Sequence, residues 1–442
     1  MKQFSNLSEL LSDITGKGVS CVNKKDENER GGASSSENVQ VIFEDGSEKK
    51  IFLKTRKSGS HIEGIDKVLG LYGREIVMYR EVLPLLDKFV QDHSKNGDGN
   101  GEKFMDIFPK FYGAGEINGD LILVFEDILD GTGRFVTEKN VMCKKEFYHS
   151  TKQIIVTLEN LARFHAISAC YQSETKQDLG ELFPELSKTF LNPDRVELLK
   201  PFFQGIFLKH LRLIQVLVRA FHSGNSTLRS HLSPTTVKEA NVVSLISTGD
   251  TLLENFYEML TTEVGGPKVL CHGDFHMWNI AYRGEKSNPE DFLLFDLQVC
   301  NTEVRSGAAD LVQYLAQVTS PAEFRKTAAE DSLKAYCESF NSTLDKMGSG
   351  KTNVKYCTVE FLREEMQRLR LWGAMFAINF IIERFVQNKE EFDKITESML
   401  IENTADADER IVQILHKSGQ NIWEAVDIML EHVAETQMLK TC

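Results

Sequence analysis

Short apolar runs dominate the first part of the chain and predict β-strands. Apolar residues alternate with polar ones at 39, 41 and 43, and nearly continuous apolar runs cover 51–53 and 121–125. Asp45-Gly46, between two of these runs, is a strong hairpin signal. We therefore predict strands at 17–23, 38–44, 50–55, 111–113 and 121–126. A polar run, 24–37, separates the first two of these strands, and the run 93–103 is predicted to be a flexible loop.

Helical spacing replaces this pattern after about residue 127. The clearest case is 150–171, a long amphipathic segment. In the first part, a helix is predicted at 4–15 and one over 73–89, with Glu75 near its start. Further helices are predicted at about 200–222, 251–262, 306 onward, 322–346, 358–388 and 408–438. The sequence thus predicts an α+β protein with a strand-rich unit, 1–127, and a helical unit, 128–442.

Composition narrows the class of protein. The chain has 442 residues, of which 41% are hydrophobic and 26% charged, as is ordinary for a globular protein with a large core. The formal net charge of −14 argues against binding to nucleic acid or to anionic membranes, which require basic surfaces. An anionic substrate is still allowed, because a local lysine and a bound metal reverse the field inside a cleft.

Cysteine usage and hydropathy indicate a cytoplasmic protein. The eight cysteines are scattered and contain no Cys-x-x-Cys pair, which favours reduced thiols over a disulfide framework or a zinc site. The N-terminus has no apolar core of signal-peptide length. The longest apolar stretch, 371–382, is too short to span a bilayer. No obligate protein partner is indicated.

One segment, 269–280, is chemically denser than the rest. It contains Asp274 and, five positions later, Asn279; a second acid, Asp296, follows a strand-like apolar run. In phosphoryl transfer an Asp orients the attacking hydroxyl and accepts its proton, an Asn five residues later binds a metal, and a later Asp binds metal bridging the phosphates. The spacing Asp-x-x-x-x-Asn matches the catalytic loop of kinases.

A lysine upstream fits the same chemistry. Lys54 stands where the apolar strand 50–55 would otherwise continue, and Glu75 lies near the start of the next predicted long helix. In nucleotide-binding lobes of kinases a strand lysine contacts the phosphates, and a helix glutamate holds it. Alone, this pair would equally fit a solvated lysine at a strand end.

A metallohydrolase is the rival interpretation. His272, Asp274 and His276 alternate, so on a strand all three would face one side, as metal ligands could. Gly273 and the Trp278-Asn279 pair fit a loop better than a strand, and no further cluster has metal-ligand spacing. We therefore interpret His272 as a residue whose ring hydrogen bonds brace the loop, and leave His276 outside the chemistry.

Seven stretches, in order along the chain, together resemble one known family. They are Phe52-Leu53-Lys54, Arg74-Glu75 to Tyr79 with Pro84, Val124-Phe125-Glu126-Asp127, Leu161-Ala162-Arg163-Phe164-His165-Ala166, His272-Gly273-Asp274-x-x-x-x-Asn279, Phe295-Asp296-Leu297-Gln298 and Ala309-Asp310-Leu311. This set resembles the ecdysteroid kinase-like (CHK kinase-like) proteins of the aminoglycoside and choline phosphotransferase superfamily. The resemblance covers about residues 38 to 340. Leu297 stands where the family usually has an aromatic residue.

The resemblance implies a two-lobed protein-kinase-like fold, with a small antiparallel-sheet N-lobe carrying one helix and a large, mostly helical C-lobe. It also implies how ATP would be bound. Lys54 would bind the α- and β-phosphates, and Glu75 would hold Lys54. The segment 124–128, which includes Glu126, Asp127 and Ile128, would be the hinge whose backbone meets adenine. The polar insertion at 24–37 obscures the loop that would cover the nucleotide.

Catalytic roles are implied in the same way. Asp274 would be the catalytic base, Asn279 and Asp296 the Mg²⁺ ligands, and Asp310 a brace beneath the catalytic loop. The implied activity is an ATP- and Mg²⁺-dependent transfer of phosphate to the hydroxyl of a small apolar alcohol, with a steroid as the family-based guess. A choline-, ethanolamine- or aminoglycoside-type phosphotransferase, and a nucleotide-binding pseudokinase without catalysis, are the alternatives.

Overall fold

The structure is a computed structural model, and it describes the chain in segments. These are residues 1–28, 35–94, 104–128, 149–187, 209–232, 252–285, 288–319, 328–348, 353–376 and 405–417, with single positions 234, 237, 423, 426, 427, 430 and 431. The glycine- and serine-containing run 31–36 and the predicted loop 93–103 therefore lie mostly outside the described residues.

Six strands form one sheet in the first part of the chain, in the spatial order β1-β5-β6-β4-β3-β2. All neighbours pair antiparallel except the short β1, which pairs parallel with β5. A second sheet is the hairpin β7-β8. The strands are β1 (Gln3–Phe4), β2 (Val19–Asn28), β3 (Ser35–Phe43), β4 (Glu48–Arg56), β5 (Phe111–Ile117), β6 (Asp120–Glu126), β7 (Ile280–Glu285) and β8 (Asn288–Leu294).

The predicted strands are confirmed, with bounds that differ by a few residues. The Asp45-Gly46 turn joins β3 to β4, and Gly46 has the positive φ, 77°, that such a turn requires. Beside the polar run 24–37 the predicted strand bounds were too narrow, because β2 extends to Asn28 and β3 starts at Ser35. Residues 24–28 and 35–37 are all polar, so no hydrophobic pattern marks these strand ends, whereas backbone hydrogen bonds form whatever the side chains are.

Helices make up most of the remainder. They are α1 (Leu7–Thr15), α2 (His61–Leu69), α3 (Leu71–Val77), α4 (Leu83–Ser94), α5 (Thr151–Thr175), α6 (Leu179–Leu182), α7 (Lys209–His222), α8 (Ser226–His231), α9 (Leu252–Thr261), α10 (Ala308–Val318), α11 (Ala328–Lys346), α12 (Val359–Arg368) and α13 (Ala405–Lys417). The α+β class predicted from hydrophobic spacing is confirmed. In the described segments no helix has the length and apolarity to cross a bilayer.

The helix that carries Glu75 is longer than predicted. A π-helical turn, Met78–Val82, connects α3 to α4, so helical backbone continues from Leu71 to Ser94. The structure also adds α2, which the hydrophobic spacing did not indicate. Ser60 caps α2 by accepting a hydrogen bond from the Glu63 main chain, and Gly70, with φ 66°, ends it.

Alternation along β4 determines which way Lys54 points. Ile51 and Leu53 belong to an apolar cluster formed with α1, where Leu10 and Leu11 are fully buried. Successive side chains of a strand face opposite sides, so Lys54 shares the other face. That face packs on the main core of the protein, to which α3, α4, α5 and α10 all contribute. Lys54 therefore points away from α1 and toward the rest of the chain.

Candidate active site

Three oxygen acceptors surround the Lys54 ammonium. Lys54 Nζ lies 2.6 Å from Glu75 Oε2, 2.7 Å from Asp296 Oδ1 and 3.2 Å from Gln298 Oε1. The Tyr72 ring lies below it, with its centroid 5.7 Å from Nζ. An ammonium has three N–H donors, so in this arrangement all of them are engaged.

Burial and charge act against each other in this cluster. Burial would lower the pKa of Lys54, but the carboxylates of Asp296 and Glu75 outweigh it and raise that pKa, so the lysine is charged. Burial raises the pKa of Glu75, although Lys54 opposes the shift. Glu75 is almost completely buried, whereas the Asp296 side chain is 24% exposed. Asp296 is thus the acceptor that solvent or a ligand can reach.

Arg74 fixes the turn that carries Gln298. Its guanidinium is buried and donates to three main-chain oxygens, those of Leu69, Glu185 and Gln298. Sequence reasoning placed Arg74 and Gln298 in family motifs but gave neither a role. A buried guanidinium needs several acceptors, so an arginine within an apolar helix predicts that such acceptors exist. The sequence does not show which they are, because they lie 5, 111 and 224 residues away.

Asp296 has an unusual backbone conformation. Its φ of 64° lies in the left-handed region, and only Asn118 and Lys176 share a positive φ among the non-glycine residues that the structure describes. Asp tolerates this region better than most residues, but at a cost. An outlier held in place beside a buried ion cluster is typical of functional sites.

Asp274 and Asn279 lie in the loop before β7, and they contact each other. Asn279 Nδ2 donates to the Asp274 main-chain oxygen at 3.0 Å and lies 3.5 Å from Asp274 Oδ2. The carboxylate is 25% exposed, whereas Asn279 is buried. Burial alone would raise the pKa of Asp274, but the neighbouring His276, His272 and Asn279 outweigh it and lower the pKa. Asp274 is therefore an ionised acceptor at neutral pH.

The loop is joined by hydrogen bonds to Phe295, which lies between the end of β8 and Asp296. The Asn279 main-chain oxygen accepts from Phe295 N at 3.1 Å. His272 Nδ1 accepts from Asp274 N at 3.3 Å, and its Nε2 lies 3.1 Å from the Phe295 oxygen. Burial lowers the pKa of His272, which keeps the ring neutral as these bonds require. The prediction that the His272 ring braces the loop is confirmed.

Asp310, on α10, holds the loop from the other side. Its carboxylate accepts from the main-chain N of His272 at 2.6 Å and of Gly273 at 2.9 Å. His165 Nε2, from α5, lies 3.1 Å from the same carboxylate. The alternating residues of the metallohydrolase interpretation thus lie in a loop whose two histidine rings are hydrogen-bonded to the main chain, and they do not form a strand.

One buried group in the described segments has the donor atoms for a metal. His165, Cys271 and Asp310 bring ligand atoms within 4.8 Å of one another. These atoms are already engaged, because His165 Nδ1 bonds the Tyr336 hydroxyl at 2.7 Å and both Asp310 oxygens accept main-chain N–H groups. The group therefore serves as a brace under the loop.

Gly273 must be glycine for two reasons. Its φ is 81°, and a Cβ at this position would lie 2.4 Å from the Val299 oxygen and 2.9 Å from Asn301 Nδ2. Gly46 has nearly the same φ, 77°, but has no atom within 4 Å of the position of a Cβ. The two glycines thus separate the cost of backbone conformation from the cost of crowding.

Gly273→Ala is expected to lower the free energy of unfolding by about 1–3 kcal/mol more than Gly46→Ala does. Both substitutions strain φ, but only the first forces the Val299 carbonyl, and with it the turn after Asp296, to move. Denaturant unfolding of the two variants and the unchanged chain measures the difference. Equal losses in the free energy of unfolding would show that the turn after Asp296 moves without a free-energy cost.

The residues predicted to form the hinge lie where β6 leaves the sheet. Glu126 is the last residue of β6, and its main-chain N donates to the Lys110 oxygen at 2.8 Å. Asp127 is buried, and Ile128 packs on an apolar cluster with Ala281 and Leu293 of the β7-β8 hairpin. Glu126, Asp127 and Ile128 thus connect the sheet to the hairpin that separates Asn279 from Asp296.

Comparison with known proteins places the chain in a family. The sequence model of the ecdysteroid kinase-like family matches residues 37–349, which is most of the chain. The protein belongs to the ecdysteroid kinase-like family. Membership makes it a small-molecule kinase-like protein. It contains both regions described above, the Lys54 cluster and the Asp274–Asn279 loop, within the matched residues.

Two solved structures are similar to this family member. One, from Thermobifida fusca, is assigned as a fructosamine-3-kinase; it has 14% identity and a TM-score of 0.32, covering 90% of this chain and 99% of its own. The other, from Ralstonia eutropha, is assigned as an aminoglycoside phosphotransferase, with 10% identity, a TM-score of 0.34 and coverage of 94% and 92%. No curated protein matches the sequence.

Proposed function

We propose that this protein is an ATP- and Mg²⁺-dependent kinase that phosphorylates the hydroxyl of a small apolar alcohol, with a steroid as the first candidate. The observation that carries the proposal is the buried Lys54–Glu75–Asp296 cluster. It is hydrogen-bonded, through the Phe295–Asn279 link, to the loop that presents Asp274. Phosphoryl transfer needs this combination of a phosphate-binding cation, metal-binding oxygens and a base.

In this proposal the nucleotide binds between two units, 1–127 and 128–442. Lys54 binds the α- and β-phosphates, and Glu75 keeps it in place. The main chain of Glu126, Asp127 and Ile128 contacts the adenine. Support comes from the sheet, in which β4 is paired on both sides, so that Lys54 stands on a central, rigid strand.

Asn279 and Asp296 would hold the magnesium ion. Their donor set fits, because amide and carboxylate oxygens are the ligands that Mg²⁺ prefers. Asn279 uses Nδ2 toward Asp274, which leaves its amide oxygen as the acceptor. The ion would neutralise charge on the transferring phosphate. Asp274, ionised and partly exposed, would orient the acceptor hydroxyl and take its proton. The proposal includes a cytosolic location, because the scattered cysteines favour reduced thiols.

The three hydrogen bonds of the Lys54 ammonium lead to a prediction about Asp296. With all three N–H donors engaged, Lys54 has none left for a phosphate until one acceptor withdraws. Asp296 is the more exposed of the two carboxylates. Asp296→Ala is expected to strengthen ATP binding in EDTA several-fold, because it frees a donor and removes a negative charge, and to abolish the effect of Mg²⁺ on binding. Calorimetric titration with and without Mg²⁺ measures both.

Asp45→Ala is the matched control for that titration. Asp45 is an exposed carboxylate in the β3-β4 turn, paired with Lys17. Its loss should leave ATP binding unchanged in both conditions. Weaker ATP binding by Asp296→Ala in EDTA would contradict the assignment of Asp296 as the releasable acceptor.

A phosphotransfer screen tests the function itself. Radiolabelled ATP is offered with steroids, amino-alcohols including choline and ethanolamine, and aminoglycosides. Transfer to a steroid hydroxyl supports the proposal. Transfer only to amino-alcohols or aminoglycosides would show that the acceptor substrate is a cationic alcohol and not an apolar one. Magnesium-dependent ATP binding without transfer to any acceptor would mean a pseudokinase.

A further inference from the structure

We propose that His276 is a positioning residue, which holds one oxygen of Asp274 and thereby leaves the other to the acceptor hydroxyl. The inference rests on the proposed function, since it assigns a role to a neighbour of the proposed base. Its motivation is a contact that sequence reasoning did not anticipate. His276 Nε2 lies 3.4 Å from Asp274 Oδ2.

The hydrogen bonds of His276 determine where its ring proton is. His276 Nδ1 accepts from the main-chain N of Trp278 at 3.2 Å, which caps the short 3₁₀ turn Met277–Asn279. A nitrogen that accepts a hydrogen bond carries no proton, so the proton is on Nε2. The Nε2–H group is the one that faces Asp274. A distance of 3.4 Å is long, as catalytic hydrogen bonds often are before substrate binds.

The two oxygens of Asp274 are therefore not equivalent. Oδ2 has His276 Nε2 at 3.4 Å and Asn279 Nδ2 at 3.5 Å. Within the segments that the structure describes, no hydrogen bond to Oδ1 is found. The carboxylate is 25% exposed, whereas the His276 side chain is only 8% exposed, so the ring is held and the carboxylate is reachable. Oδ1 is the oxygen left for the substrate.

This arrangement gives Asp274 Oδ1 the role of proton acceptor in phosphoryl transfer from ATP. The acceptor O–H proton passes to Oδ1 of Asp274, the acceptor oxygen bonds the γ-phosphorus of ATP, and the bond from that phosphorus to the bridging oxygen breaks, releasing ADP. His276 does not enter the step. It restricts rotation of the carboxylate, so that Oδ1 stays aimed at the hydroxyl, and such positioning has large effects on rate.

His272 and His276 make the same capping hydrogen bond but differ in their second contact. Each ring accepts, at Nδ1, the main-chain N–H two residues further on. His272 then directs Nε2 to the Phe295 oxygen, which ties the loop to the strand before Asp296. His276 directs its Nε2 to the Asp274 carboxylate instead. The capping bond is thus common to both, and the second contact is what distinguishes them.

Two substitutions separate the contacts of His276. Asn places an amide oxygen where Nδ1 stands, so His276→Asn keeps the cap on Trp278 N but removes the donor to Asp274. Gln reaches as far as Nε2, so His276→Gln keeps the donor but removes the cap. The KM for ATP should be unchanged in both. We expect kcat to fall about 10- to 100-fold in His276→Asn, by the scale of misplaced catalytic groups, and to fall less than about 3-fold in His276→Gln.

The opposite ranking, with His276→Asn active and His276→Gln impaired, would show that His276 only caps the turn and would overturn the inference. Equal kcat in all three proteins would overturn it as well. In either case phosphotransfer by the unchanged chain is measured alongside, so the proposed function can stand while this inference fails.

A spectroscopic test needs no acceptor substrate. In ¹⁵N spectra of histidine-labelled protein, His276 is identified by the signal lost in His276→Gln. We expect the Nε2–H form, with an Nε2 resonance that moves in Asp274→Ala and does not move in Asp13→Ala, a distant exposed position. A ring protonated at Nδ1, or a resonance indifferent to Asp274, would sink the inference whatever the enzyme phosphorylates.

Discussion

Asp274→Asn is expected to reduce kcat by a factor of about 10²–10⁴, the usual contribution of a general base, while the affinity for ATP changes less than twofold. The substitution preserves shape and the acceptor oxygen that Asn279 and His276 contact. It removes the negative charge that takes the hydroxyl proton. Loss in kcat without loss in binding is the signature of an interaction made only in the transition state. Steady-state kinetics together with nucleotide titration measure both quantities.

Asp13→Asn is the control for this loss. Asp13 is 41% exposed and paired with the exposed Lys2, and such surface pairs contribute about 0–1 kcal/mol. Its substitution should leave kcat and ATP affinity unchanged. If Asp274→Asn kept the turnover of the unchanged chain, Asp274 would not be the base. The stability of the two variants should be similar, because an asparagine in place of Asp274 can keep the loop's hydrogen bonds.

Lys54→Met is expected to weaken ATP binding at least tenfold and to lower the free energy of unfolding by about 3–5 kcal/mol, the cost of leaving buried charge without its partner. Glu75 is 2% exposed and Asp296 24% exposed, so without the ammonium two carboxylates share a poorly solvated site. Nucleotide titration and denaturant unfolding measure the two effects separately.

A second substitution tests the physical cause. Glu75→Gln in the Lys54→Met background removes the more buried of the two carboxylates, so the double variant should be more stable than Lys54→Met alone. Lys49→Met, on the same strand, removes only a half-buried lysine stacked on Tyr112 at 4.3 Å and should cost about 1 kcal/mol or less. If Lys49→Met and Lys54→Met destabilised the protein equally, the ion cluster would not be the reason.

Local patterns predicted most of the strands and the order of the polar residues. Period-two spacing located β3, because one face of that strand is buried and its side chains must alternate. Nearly continuous apolar runs located β4 and β6. The Asp45-Gly46 pair marked a turn whose backbone only a few residues tolerate. The spacing of Asp274, Asn279 and Asp296 was visible because these residues belong to one short stretch of chain.

Features that depend on distant partners were not predicted. The length of β2 and β3 in the polar run, and the helix α2, come from pairing and packing that no local apolar pattern shows. Gln298 reaches Lys54 across 244 positions, and Asp310 reaches the main chain of His272 and Gly273 across 38 and 37. His276 was set aside together with the metallohydrolase interpretation, and nothing in the neighbouring sequence indicates that its ring contacts Asp274.

The sequence by itself determined the elements and the chemical inventory, because hydrophobic period and residue type are properties of a few consecutive residues. It placed Lys54 on a strand, Glu75 on a helix and Asp274 in a loop. The tertiary structure alone decided which of them meet. It brought one cation between Glu75 and Asp296, because a buried ammonium requires acceptors from whichever elements surround it. It also made the two oxygens of Asp274 different, because that depends on the direction of a single imidazole N–H.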